Sequence, residues 1–262
     1  MPQRHVVHAD ARRFAEALAG RVVRAASPQG RFASGAAVLD GRVLREAQAF
    51  GKHLFLRFSG SADGARYLHV HLGLIGAWTW WDAGRAQTAG RPLLAAGDSG
   101  VRLRLTGAGG VSAELRGATV CELVDEHAVD TVVAALGPDP IRADSDEDGS
   151  RAWRRVRDSR TPIGTLLLDQ SVVAGAGLIW RCEAPFLAAV SPHRPGRELG
   201  EQEWATLWRE LRRIMRAAVD HRPEEFSLFR RGGEPCLRCG TPIEVARLGG
   251  RPVWWCPRDQ PR

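Results

Sequence analysis

The hydrophobic period of this chain changes part-way along its length, and that change limits the possible folds more than any single residue does. From about Val22 to Leu123 the apolar side chains come in short alternating or β-rich runs: Arg42–Ala47, His53–Phe58, Tyr67–Leu72, Val101–Leu105 and Val111–Leu115. Glycine-rich turns separate them, the pattern of a β-sandwich. Ahead of the runs, Asp10 is placed to cap a helix over Ala11–Ala19 that shows Phe14 and Leu18 on one face and stops at Gly20. Behind them a helix is predicted near Ala128–Leu136, ending at Gly137-Pro138. Further on the period becomes helical, with candidates at Pro162–Gln170, Leu178–Val190 and Gln202–Val219. The last carries Trp204, Leu207, Trp208, Leu211, Ile214, Met215 and Ala218 as a core-facing stripe, and Arg209, Arg212, Arg213 and Arg216 read as its solvated face. Between the two textures, Arg142–Ser150 is polar, acidic and without apolar period. The expectation is an α+β chain of two domains, 1–141 and 151–262, joined by a linker at 142–150.

Charge narrows the partner. A formal net charge of +7 favours a polyanion such as nucleic acid, although a modest excess can also serve solubility alone. Of the 37 basic side chains, 36 are arginine and one, Lys52, is lysine. A chain that supplies cation almost everywhere as guanidinium either kept this ammonium by chance or needs a compact, proton-exchanging amine there. The longest uncharged apolar runs, Thr165–Leu168 and Ser171–Ala176, fall far short of the roughly 20 residues that cross a bilayer. Arg4, His5, His8 and Asp10 come too early for a secretory leader, so no membrane and a cytoplasmic location are expected. Three of the five cysteines cluster near the C-terminal end, closer to a metal site than to a disulfide framework. Cys121 and Cys182 read as packing residues.

Four stretches carry chemistry. The chain opens Met1-Pro2-Gln3-Arg4-His5; Gly51-Lys52-His53-Leu54-Phe55 heads a strand; His69-Val70-His71-Leu72-Gly73-Leu74-Ile75-Gly76 follows; and Leu166–Phe186 reads LLLDQSVVAGAGLIWRCEAPF. Near the end, Cys236-Leu237-Arg238-Cys239 is answered sixteen residues later by Cys256-Pro257-Arg258-Asp259, with Gly249-Gly250-Arg251 between two β-like arms. Together these resemble the formamidopyrimidine-DNA glycosylase/endonuclease VIII family over nearly the whole length. The resemblance implies an N-terminal β-sandwich flanked by helices, then a helical domain with a helix-two-turn-helix element and a zinc-finger-like β-hairpin at about 230–262.

The resemblance also implies roles. Removal of Met1 would leave Pro2 as a secondary amine of the α-amino class, which titrates near roughly 7.7–8.0 and is partly unprotonated at neutral pH. Such an amine can attack the C1′ of a damaged nucleotide, displace the base and form an iminium that permits β-elimination. Lys52 would contact the phosphate of the lesion nucleotide and assist proton transfer, and His71 falls in the same DNA-facing stretch. Leu74 and Ile75 are candidates to fill the hole left by the extruded base, with ordinary strand core as the alternative reading. Gly175 and Gly177 would let the backbone turn so that amides at the start of the next helix face a phosphate. Arg251 would clamp phosphates flanking the extruded nucleotide. Cys236, Cys239, Cys256 and Asp259 would hold Zn2+. The partner implied is duplex DNA with a damaged base or abasic site, the chain acting as a monomer associated with the nucleoid.

Three positions depart from the family's pattern. Gln3 stands where a glutamate serves as acid and base, and an amide can hydrogen-bond but cannot transfer a proton. Leu178 replaces an asparagine donor, and Asp259 replaces a fourth cysteine, giving a harder and weaker metal site. The expected function is therefore a DNA glycosylase and AP lyase with altered acid/base chemistry, or a catalytically impaired damaged-DNA-binding protein of the same fold.

Overall fold

The computed structural model describes residues 5–60, 67–82, 85–87, 98–142, 146–220 and 225–261. Pro2 and Gln3 lie outside the described residues. The chain divides into two compact units, Met1–Val133 and Ala134–Arg262.

The first unit runs α1 (His5–Leu18), β1 (Arg24–Ala26), α2 (Ala33–Leu39), β2 (Leu44–Phe50), β3 (His53–Phe58), β4 (Tyr67–His71), β5 (Ala77–Asp82), β6 (Arg85–Gln87), β7 (Val101–Thr106), β8 (Ser112–Arg116), β9 (Val120–Val124) and α3 (Glu126–Ala134). Its strands form two antiparallel sheets, ordered β1-β7-β8-β5-β6 and β2-β3-β4-β9. Alternation explains the strands: Val101, Leu103 and Leu105 turn inward from β7 while Arg102 and Arg104 stay half-exposed. Leu54, Leu56, Leu68 and Val70 of one sheet share a core with Leu103, Leu105, Ala113 and Leu115 of the other, closing the expected sandwich. The helix α1 starts earlier than the cap at Asp10 predicts. Val7, Ala11, Phe14 and Leu18 form one buried stripe, so Asp10 sits buried inside the helix instead. Phe14 meets Trp78 and Trp80 at ring-centroid distances of 4.8 and 4.6 Å.

The second unit contains α4 (Asp146–Val156), α5 (Ile163–Leu166), α6 (Trp180–Leu187), α7 (Glu201–Asp220), β10 (Glu244–Leu248) and β11 (Arg251–Trp255). Residues 146–150, acidic and without apolar period, form the first turn of α4. Tertiary contacts draw them in: Trp204 Nε1 donates to the carbonyl of Gly149 at 2.9 Å, and a Cβ on Gly149 would lie 2.6 Å from the Trp208 ring. The α7 stripe is buried as its period predicts, with Ile214 only half-buried. The two helices expected at Pro162–Gln170 and Leu178–Val190 shorten to α5 and α6. Asp169 takes the N–H and hydroxyl of Ser171 in a local turn, and Gln170 holds the Gly175 N–H, so the backbone between the helices bonds to side chains. No helix among the described residues is long and apolar enough to cross a membrane.

Candidate nucleic-acid interface and metal centre

The single lysine occupies the tip of the β2–β3 hairpin. Phe50 pairs with His53, leaving Gly51-Lys52 as a two-residue loop with φ of +58° at Gly51, the pattern of a type II′ turn. Glycine is required first in such a turn, which fixes Lys52 second. His53 then pairs with His71 on β4, so the two motifs are brought to one end of the sheet. Beyond His71 the chain turns sharply. Gly73 has φ of +65° and donates its N–H to His71 Nδ1 at 3.2 Å; a Cβ on Gly76 would lie 2.2 Å from the Leu72 carbonyl oxygen. This turn lifts Leu74 and Ile75 out of any core: they are 56% and 72% exposed. Two adjacent large aliphatics in water have no folding rationale and suit insertion into something else.

The same face of this sheet carries residues that motif reading passed over. His69 is buried between His53, whose Nδ1 lies 2.9 Å from its Nε2, and Glu122, whose Oε1 lies 3.0 Å from its Nδ1. Burial, reinforced by His71, His69 and Lys52, depresses the His53 imidazole to about 4. Period-two alternation on neighbouring strands was the available signal, since only paired register brings 53, 69 and 122 together.

In the second unit, Gly175 has φ of +82° and gives its N–H to Gln170 Oε1 at 2.9 Å, so that amide serves the turn itself. Gly177 is buried, adopts an ordinary φ, and its carbonyl receives the Arg181 N–H at 2.7 Å at the start of α6. Leu178 is half-buried against the core. The β10–β11 hairpin closes through Gly249 and Gly250, both at positive φ (+59° and +73°), the type I′ pattern, and presents Arg251 exposed as the first residue of β11. Its tip is held on both sides. A Cβ on Gly249 would touch Thr165 of α5 at 2.9 Å, and buried Arg181 donates Nη2 to the Leu248 carbonyl at 3.1 Å.

At the base of that hairpin the donor atoms of Cys236, Cys239, Cys256 and Asp259 lie within 4.8 Å of one another. Cys236 Sγ is 3.2 Å from Asp259 Oδ2 and Cys239 Sγ is 3.4 Å from Cys256 Sγ. Tetrahedral zinc with bonds of about 2.3 Å to sulfur sets its ligands ~3.8 Å apart, so this set fits the ion with small adjustment. Backbone N–H groups of Arg238 and Asp259 point at the sulfurs of Cys236 and Cys256, both at 3.4 Å, as thiolate ligands require. The remaining thiols are different: burial pushes Cys121 and Cys182 up to about 12, which makes them inert packing groups.

Three family models match in succession. The formamidopyrimidine-DNA glycosylase N-terminal domain covers residues 1–119, the formamidopyrimidine-DNA glycosylase H2TH domain 136–229, and the zinc finger found in FPG and IleRS 233–262. The chain belongs to the formamidopyrimidine-DNA glycosylase/endonuclease VIII family of damaged-DNA repair proteins. Among its relatives, endonuclease 8 1 of Mycobacterium tuberculosis is 43% identical over 98% of both chains. Probable endonuclease 8 2 of Streptomyces coelicolor is 31% identical over 99% of this chain and 94% of its own. In fold, Lactococcus lactis formamidopyrimidine-DNA glycosylase, solved non-covalently bound to DNA containing an AP site, superposes over 100% of both chains with a TM-score of 0.83 at 21% identity.

Proposed function

We propose that this chain removes damaged bases from duplex DNA and cleaves the resulting abasic site, using Pro2 as the nucleophile. The observation that carries the reading is the position of the sole lysine, at a hairpin tip beside His71 and the exposed Leu74–Ile75 turn. Once Met1 is removed, the Pro2 nitrogen attacks C1′ and the base departs with the bonding electrons and a proton. The sugar opens to an iminium. Lys52 and Arg251 hold phosphates, Leu74 and Ile75 fill the vacated stack, and the helix-two-turn-helix segment around Gly175 and Gly177 lies along the backbone. Zinc, held by Cys236, Cys239, Cys256 and Asp259, supplies a rigid base for the hairpin that bears Arg251. The protein works as a monomer among the nucleoid DNA of the cytoplasm.

Gln3 positions the sugar and leaves proton delivery to another group or to water. Leu178 and Gln3 together favour a second reading, in which the chain recognises damage without excising the base. Incubation with abasic duplex followed by borohydride reduction separates the two. A covalent adduct that disappears in a Pro2→Gly variant and in a form retaining Met1 supports amine catalysis; binding without an adduct supports recognition alone. Failure to bind damaged duplex at low salt removes both.

A further inference from the structure

Arg181 is a fully buried guanidinium in the first turn of α6. Of its three nitrogens one is placed: Nη2 donates to the Leu248 carbonyl at 3.1 Å, while the buried Nε and Nη1 meet no acceptor. Among the described residues no carboxylate pairs with it. Glu183, two residues on, gives both its oxygens to the N–H groups of Ser227, Leu228 and Phe229. A cation at the start of a helix also faces the positive pole of the helix dipole. An unpaired buried charge is among the most unfavourable arrangements in a folded chain, and local rules of this kind are broken where function requires it.

The placement has a direction. Leu248 pairs with Arg251 across the Gly249-Gly250 turn, so the carbonyl that Arg181 grips belongs to the residue directly opposite Arg251. A Cβ on Gly164 would lie 3.1 Å from the Leu248 side chain, so α5 and α6 hold this closing pair from two sides. Arg251 is left exposed beyond it. The two guanidiniums are near enough to repel: burial, with Arg251 in addition, pulls Arg181 below its ordinary value. Leu178, three residues before Arg181, has no side-chain donor to offer an anion.

We propose that Arg181 is a positioning residue for phosphate capture: it fixes the Leu248 carbonyl so that Arg251 projects from the turn, and a DNA phosphate docked on Arg251 supplies the counter-charge that no carboxylate gives Arg181. The proposal rests on the reading of Arg251 as a phosphate clamp. The phosphate touches Arg251 alone; its pull on Arg181 acts through protein, where screening is weaker than in water. Stability and binding are thereby opposed at this position, because the charge strains the fold and serves the complex.

The test is binding of duplex carrying a tetrahydrofuran abasic analogue, with Kd followed against salt concentration and the melting temperature of the unbound protein measured beside it. The proteins are wild type, Arg181→Met, Arg181→Gln, Arg251→Ala and the Arg181→Met/Arg251→Ala pair. Methionine keeps the length of the side chain and removes charge and donors. Arg181→Met should bind about tenfold more weakly, with a log–log salt slope shallower by roughly one. It should melt at or above the wild-type temperature. Glutamine keeps a donor for the Leu248 carbonyl without the charge, and should show the same shallower slope. In the Arg251→Ala background Arg181→Met should weaken binding little further, because both residues act on one phosphate. Wild-type affinity and slope in Arg181→Met overturn the proposal and leave the Arg251 clamp in place. So does a melting temperature well below wild type, or a loss that adds in full to that of Arg251→Ala, since Arg181 is then a packing residue. A wild-type slope in Arg181→Gln overturns the part played by charge. Arg251→Ala with wild-type binding, or wild-type protein that binds no damaged duplex at low salt, overturns the phosphate reading and the proposal together.

Discussion

Gln260, close to the C-terminal end, donates its side-chain amide to the carbonyl of Val190 at 2.8 Å, and the same buried side chain accepts the N–H of Cys256 at 3.0 Å. One amide thus joins the metal-ligand segment to the loop after α6. Arg238 adds a bond to the Phe186 carbonyl at 3.0 Å with its guanidinium 4.2 Å over the Phe186 ring. The hairpin that displays Arg251 is therefore tied to the helices of its own unit by side chains as well as by any metal.

Gln260→Ala leaves the Val190 carbonyl and the Cys256 N–H buried without these partners. At about 1–3 kcal/mol per unsatisfied group, a loss of roughly 2–6 kcal/mol in stability is expected. Urea unfolding followed by tryptophan fluorescence reads it, through Trp254 and Trp255 of β11. An unchanged midpoint would show that water takes over both bonds.

Asp259→Cys completes a four-thiolate set and should tighten zinc binding by at least about tenfold, since thiolate is the softer and stronger donor for this ion. Competition with a chromophoric chelator measures the affinity. The cobalt derivative should show thiolate charge-transfer absorption that rises by about one third from three sulfurs to four. Equal affinity in the two proteins would exclude Asp259 as a ligand.

Leu74→Ala and Ile75→Ala remove side chains that touch mostly water, so each should change folding stability by under about 0.5 kcal/mol. Both should weaken binding to duplex containing an abasic site while binding to undamaged duplex changes little. A large drop in melting temperature would place these residues in a core after all.

His53 makes the first unit sensitive to acid. Its imidazole is held near 4 in the folded chain against about 6.5 when unfolded, so the unfolded chain binds the extra proton first. Stability is full above about pH 6.5 and declines as the pH falls toward 4, by ~1–2 kcal/mol after allowance for partial exposure. His53→Phe keeps a ring against Phe55 and His69 and should flatten that slope in urea titrations between pH 7 and 4.

Gln3→Glu restores a proton-transfer group beside the proposed nucleophile and should raise base excision on damaged duplex by about 10²-fold or more. Base release, measured separately from strand cleavage, is the readout. No gain would place the defect elsewhere, with Leu178 next in line.

Short-range rules were enough to write the sandwich, the α7 stripe, the strand that Lys52 heads, the Gly249-Gly250 turn and the cysteine knuckles into the linear chain. Those rules are alternation for strands, a 3.6-residue period for a helix, positive φ for glycine, and ligand spacing for a metal. Folding in three dimensions settled what depends on neighbours distant in the chain. The acidic run at 146–150 became helix because Trp204 and Trp208 pack on it. Asp10 moved from cap to helix interior because a buried stripe extends past it. Leu74 and Ile75, ambiguous between core and surface, were thrown outward by a turn that Gly73 and Gly76 make possible. His53, His69 and Glu122 became one hydrogen-bonded chain only when strand register laid β3, β4 and β9 side by side. Register is a property of paired strands, and no local pattern in any one of them records its partner.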